Sequence, residues 1–136
     1  MNDTNHLIPL IVTDKLAQTR KYYVEQAGFT PTMEQEGYLQ VRHGKESGPE
    51  LSFVVPDMGP PDMLQPAFGG KGLILSVRTS DADAKYRALE QSGITPSSEP
   101  STRPWGWRSF TAVDPNGIVL DFFSIPNEAS GADAQS

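Results

Sequence analysis

Few side chains of this chain are equipped for chemistry of their own. Cysteine is absent, which removes thiolate nucleophiles, thiolate metal sites and disulfides together. Two imidazoles are present, His6 and His43. His43 ends the run Gly37 to His43 just before a Gly-Lys turn, where it reads either as a half-exposed residue closing an edge strand or as a ligand or general base. Trp105 and Trp107 flank Gly106 directly after Pro104. An indole in such a loop is hard to bury and offers a stacking platform for a planar ligand. Tyr38, Phe53 and Phe68 lie on or beside strand-like segments and join the tryptophans as candidate cleft residues, with core packing as the alternative for each. By two-residue alternation Tyr38, Gln40 and Arg42 share one face, Leu39, Val41 and His43 the other, while Phe53 goes with Leu51 and Phe123 with Asp121.

Charge narrows the partner. Eleven Lys and Arg stand against seventeen Asp and Glu, a net charge of −6, which disfavours nucleic-acid backbones and anionic membrane surfaces. A neutral or cationic small molecule is the easier ligand. The apolar run Leu7 to Val12 is too short for a membrane span or a secretory core, so the chain reads as a cytoplasmic protein.

The elements that must position these residues follow from punctuation. Twelve Gly and twelve Pro fall in clusters between short apolar runs, as turns do in a strand-rich fold. Leu7 to Val12 reads as a strand, Thr13 or Asp14 as a helix cap, Lys15 to Ala27 as an amphipathic helix stopped by Gly28. Strands follow at 29–34, 37–43 and 50–55. Residues 57–72 carry prolines, glycines, Met58, Met63, Leu64 and Phe68 with no period, a connecting loop that is either a lid or an inert linker. The pattern then restarts: a strand at 73–77, a helix capped by Thr79 or Ser80 and stopped by Gly93, and strands at 94–99, 107–113 and 118–124. Asp114-Pro115-Asn116-Gly117 is a strong hairpin signal between the last two. Residues 126–136 read as a polar disordered tail.

The restart is an internal repeat. Shifted by 65 positions without a gap, Leu10 meets Leu75, Val12 meets Val77, Ala17 meets Ala82, Glu25-Gln26 meets Glu90-Gln91, Gly28 meets Gly93 and Thr30-Pro31 meets Thr95-Pro96. The fold implied is α+β: two βαβββ modules, 1–56 and 73–125, in pseudo-twofold pairing that forms a cleft.

The slots Leu10-Ile11-Val12-Thr13-Asp14, Tyr22-Tyr23, Gly28-Phe29, Pro104-Trp105-Gly106-Trp107-Arg108-Ser109-Phe110, Asp114-Pro115-Asn116-Gly117 and Val119-Leu120-Asp121-Phe122 resemble the vicinal oxygen chelate superfamily of glyoxalases, extradiol dioxygenases and bleomycin-resistance proteins. The resemblance implies, for enzymatic members, a divalent metal held from the first and last strands of each module. Its four positions fall on Leu7 and Gly72, which cannot ligate through a side chain, and on Glu50 and Asp121, which can. His6 is one residue from a ligand slot and points to the opposite face of a regular strand unless a bulge re-aims it. Paired carboxylates in one cleft would either poise a general base or attract a cation; alternatively each is solvated or satisfied by Arg42, Arg103 or Arg108. Arg108 also ranks among the candidate ligand contacts. Two functions remain open on this resemblance. One is a metal-free protein sequestering an aromatic or cationic drug or metabolite. The other is a glyoxalase-like lyase or dioxygenase relative using Zn, Ni, Mn or Fe, or the carboxylates alone. A homodimer is implied for either.

Overall fold

The computed structural model describes residues 7–44 and 48–126; His6 and the tail from 127 onward lie outside them. Two four-stranded sheets form, each with one parallel pair. In the first, β1 (Leu10–Val12) runs parallel to β4 (Glu50–Val54), followed by β3 (Tyr38–Arg42) and β2 (Thr30–Gln35) in antiparallel order. In the second, β5 (Ile74–Arg78) runs parallel to β8 (Val119–Ser124), followed by β7 (Arg108–Val113) and the two-residue β6 (Ser101–Thr102). Each parallel pair is bridged by a crossover containing a helix: α1 (Leu16–Arg20), continued as a π-helical segment Lys21–Gln26, and α2 (Ala82–Gln91). The α+β architecture of two βαβββ units stands.

Three local readings change. The strand placed at 94–99 does not form. The Ser97 and Ser98 amides reach the Thr111 carbonyl at 2.8 and 3.3 Å, but Pro96 and Pro100 have no N–H to give, so the ladder begins at Ser101. The helix caps also move. Asp81, not Thr79 or Ser80, caps α2 by accepting from the Ala84 amide at 3.1 Å, and α1 has no side-chain cap. Thr13 and Thr79 are buried at the ends of β1 and β5, where their amides close the parallel ladders on Val54 and Phe123 at 2.8 Å each.

Those matching bonds correct the repeat. Thr13 and Thr79 are 66 positions apart, whereas the helix stops Gly28 and Gly93, both with positive φ, are 65 apart. The odd residue is absorbed by the π-helical turn, where the Ala27 amide reaches back five residues to the Tyr22 carbonyl at 2.7 Å. A gapless 65-residue shift is therefore one residue out of step in the strands. A one-residue slip exchanges faces: Leu75 and Val77 pair with the core residues Leu120 and Phe122, while Leu10 and Val12 lie on the opposite face of β1 from buried Ile11.

Both modules feed one core. Tyr23, Val41, Phe53, Leu89, Phe110, Leu120 and Phe122 are all but inaccessible, and Tyr23 packs against Phe29 and Phe53 at 5.1 Å between ring centres. The Asp114–Gly117 turn plugs into the first module. The Tyr23 hydroxyl donates to Asp114 Oδ2 at 2.7 Å, Thr13 Oγ1 donates to Asn116 Oδ1, and Asn116 Nδ2 donates to Thr19 Oγ1 at 3.1 Å. The turn packs so closely that a Cβ on Gly117, at φ +87°, would meet Gly70 Cα at 2.8 Å. Lys85 Nζ adds a bond to the Ala27 carbonyl at 2.8 Å. With the helix-bearing faces joined this way, the other face of each sheet is turned outward.

Candidate functional site

The outward face of the first sheet is built by alternation. Leu10 and Val12 of β1, Ser52 and Val54 of β4, and Tyr38 and Gln40 of β3 stand in register across it. Beyond β4 the chain does not leave this face. The Phe68 amide bonds the Val12 carbonyl at 2.8 Å, and between these points the loop turns through a short 3₁₀ segment at Pro61–Met63. The result is a cleft of about 350 Å³ lined by Leu10, Val12, Tyr38 and Val54 on the sheet, Gln35 and Glu36 at the hairpin, and Met58, Gly59, Met63 and Gln65 on the loop. That volume suits a one- or two-ring ligand. The loop is thus a wall of the cleft.

Gly37 holds that wall in place. It turns the β2–β3 hairpin with φ +78°, and the Met58 sulfur occupies the space a Cβ there would need. The Val55 amide bonds the Gly37 carbonyl at 3.0 Å, fixing the loop's first residues to the same hairpin.

Polar groups on the face are linked in a chain. The Tyr38 hydroxyl donates to Gln40 Oε1 at 2.6 Å, Gln40 Nε2 donates to Glu50 Oε1, and Thr32 Oγ1 donates to the same carboxylate oxygen at 2.9 Å. Thr32 sits at an irregularity in β2 where the register shifts between Pro31 and Met33, and this bulge aims its hydroxyl at Glu50.

Of the residues singled out from sequence, Tyr38 lines this cleft. Glu50 stands on the same outward face beside the cleft, tied to Gln40 and Thr32. Phe53 belongs to the core: alternation turns it with Leu51 away from Glu50, and its exposure is 0%. Phe68 packs its ring against the core while its backbone pins the loop. Arg108 is likewise corrected. It shares the helix-side face of β7 with Phe110 and grips both carboxylate oxygens of Asp83 at 3.1 Å, anchoring α2 and holding the Asp83 carboxyl below its usual range. His43 packs 5.1 Å from Phe29 on the core side, where burial, then the charge of Lys85, lowers its pKa to about 4.

Trp107, Phe123 and Asp121 lie on the outward face of the second sheet. Trp107 stacks on Phe123 at 4.5 Å and 12°, and Trp105 is 65% exposed on the adjoining turn. Ser76 Oγ donates to Asp121 Oδ2 at 3.2 Å. The corrected register makes Ser52, rather than Glu50, the counterpart of Asp121, because Val54 and Phe123 receive the equivalent threonine amides. The carboxylates are therefore not a symmetric pair, and they stand on different sheets.

The donor set does not fit a divalent metal of the enzymatic type. Leu7 is 84% exposed and, like Gly72, has no side-chain donor; Glu50 and Asp121 each take hydrogen bonds from their own sheet. Among the described residues, no three His, Asp or Glu side chains gather. Sequence reading missed Leu10, Val12, Val54, Gln35, Glu36, Gly59 and Gln65 as cleft residues. The alternation of β1 and β4 carries a signal for the first three once the face is known; the return of the loop carries none.

A family model for the Glyoxalase/Bleomycin resistance protein/Dioxygenase superfamily matches residues 4–122. The chain belongs to that superfamily. A superfamily member from Nocardioides is 20% identical, with 98% of this chain and 92% of that one covered at a TM-score of 0.70. A bleomycin-binding protein solved with bleomycin is 20% identical, with 89% and 98% covered at 0.63. A glyoxalase-related enzyme from Fulvimarina pelagi is 14% identical, with 98% and 97% covered at 0.73. At these identities the likeness is one of fold, and the superfamily fold hosts both binders and enzymes. No curated protein matches the sequence. Among the described residues no helix is long and apolar enough to cross a membrane.

Proposed function

We propose that the chain is a metal-independent small-molecule-binding protein that sequesters an aromatic or cationic drug or metabolite in the cleft beneath the 57–72 loop. The observation that carries this reading is the cleft lining: among the described residues it has four aliphatic or aromatic side chains of the sheet faced by two methionines, with one carboxylate, Glu36, and no Lys, Arg or His. Methionine adapts to varied flat ligands, and a net charge of −6 draws cations toward the protein. The bleomycin-bound neighbour supports small-molecule binding on this fold.

The protein acts as a homodimer. Ile74 and Val113, 65% and 46% exposed, share the outward face of the second sheet with the Trp107–Phe123 stack, and a second copy covers that apolar surface. Trp105 and Trp107 are then ligand contacts across or beside the interface.

The test is a titration of ¹⁵N-labelled protein with tryptamine, which is both aromatic and cationic, in EDTA. Saturable shifts at the Val12, Val54, Gly59 and Gln65 amides are expected. Absence of saturable shifts at these positions would overturn the reading.

A further inference from the structure

The hydrogen-bonding character of Tyr38 is set by a residue outside the cleft. An ionised carboxylate only accepts, so the Gln40 group that meets Glu50 Oε1 is its NH₂. The other end of that amide, its carbonyl oxygen, then faces Tyr38 and takes the single phenolic proton at 2.6 Å. What Tyr38 has left to offer a ligand is an oxygen with lone pairs. Glu36, the one ionisable carboxylate of the lining, accepts as well, and the Gln35 and Gln65 amides can serve either way. Among the described residues, no Lys, Arg, His or Trp side chain, the side chains that can only donate or carry a fixed donor, lines the cleft.

We propose that Glu50, acting through Gln40, fixes Tyr38 as a hydrogen-bond acceptor and so makes the cleft select ligands that present an N–H or O–H donor over acceptors of the same shape. The ligand class is therefore a flat amine, amide or nitrogen heterocycle bearing N–H. This narrows the small-molecule reading above and rests on it. Glu50 is a positioning residue: it touches Gln40 and Thr32 and does not line the cleft.

Indole and benzofuran test the selection, being the same size and differing in N–H against O at one ring position. The unaltered protein binds indole about tenfold more tightly, the range for a buried acceptor satisfied rather than left facing another acceptor. Glu50→Gln introduces an amide that can donate to Gln40, allowing the chain of bonds to reverse and freeing the Tyr38 proton, so the indole-to-benzofuran ratio falls to about twofold or less. Gln40→Met, which keeps an unbranched side chain and breaks the relay, gives the same collapse, and serves should Glu50→Gln not fold. A purely structural role for Glu50 would weaken both probes together and leave their ratio unchanged. Equal affinities in the unaltered protein, or a ratio unchanged in either variant, overturn the inference alone when tryptamine still shifts the cleft amides. No saturable binding of tryptamine, indole or benzofuran overturns the cleft reading and this inference with it.

Discussion

Gly37→Ala separates the stability of the hairpin from the shape of the cleft. Gly37 sits at φ +78°, a region that costs an L-residue about 1–2 kcal/mol, and its added Cβ would also stand 3.1 Å from Val55 Cγ2. The stability loss is therefore about 1–2 kcal/mol, or a melting temperature lowered by about 3–8 °C for a chain of this size. The Cβ also takes the place of the Met58 sulfur, and a flexible thioether yields more readily than backbone. Withdrawing Met58 removes apolar contact from a bound ligand, about one methylene's worth or about 1 kcal/mol, roughly a fivefold loss of tryptamine affinity. Met58→Ala should cost about the same, and the double variant no more than either alone, because both act on one contact. Gly37→Asn keeps the Cβ but tolerates positive φ, so it should lose the same affinity with a smaller drop in melting temperature. Calorimetric titration with tryptamine and thermal melts of the four variants make the comparison. Affinity unchanged in Gly37→Ala, or losses that add fully in the double variant, would refute the placement of Met58 as a wall.

Other expectations concern the ties between modules. Tyr23→Phe leaves Oδ2 of buried Asp114 with the long 3.4 Å bond from Asn116 Nδ2 in place of its short one, and should cost about 1–2 kcal/mol in a chemical denaturation curve. Burial, with the Asp114 charge, raises the Tyr22 and Tyr23 phenols above their usual pKa of about 10. The neutral forms are thus favoured by folding, that stability is whole below pH 10 and is lost as pH rises from 10 toward the higher folded values, and Tyr23→Phe should flatten the alkaline limb. His43 works in the acid range: its folded pKa of about 4 lies below the ordinary 6.5, so the unfolded chain binds the extra proton and stability falls as pH drops from 6.5 to 4, by up to about 3 kcal/mol. His43→Gln should remove that limb, and a limb that persists would contradict it. Arg108→Ala should loosen α2 in hydrogen exchange while leaving tryptamine affinity within about twofold, since the guanidinium faces Asp83.

What could be read from the sequence was whatever depends on local chemistry. Alternation set Tyr38 with Gln40 and Phe53 with Leu51, and the positive-φ glycines at 28, 93 and 117 stood where helix stops and the hairpin needed them. The two-module architecture followed from the repeat. Its fine register did not, because a π-helical turn is a one-residue insertion with no signature in side-chain type, and it hides in a gapless alignment. The candidate site did not depend on that offset: Glu50 and Asp121 were placed separately, as the last-strand positions that the resemblance implies, and the ladders instead make Ser52 the residue equivalent to Asp121. The face toward which a strand residue points needs tertiary knowledge: Arg108 looked like a cleft residue until α2 supplied Asp83. The loop was the least legible part, since its position depends on a glycine hole and one backbone bond to Val12.

The most direct test of a cleft that works without metal is the tryptamine dissociation constant measured by calorimetry on protein of assayed metal content, once in EDTA and once with each of Zn, Ni, Mn and Fe(II) added in turn. The account predicts one saturable constant that the chelator and the metals leave unchanged within about twofold, and a loss of it in Met58→Ala. Stoichiometric metal in the purified protein, or tryptamine affinity that disappears in EDTA and returns with one of the metals, would contradict it.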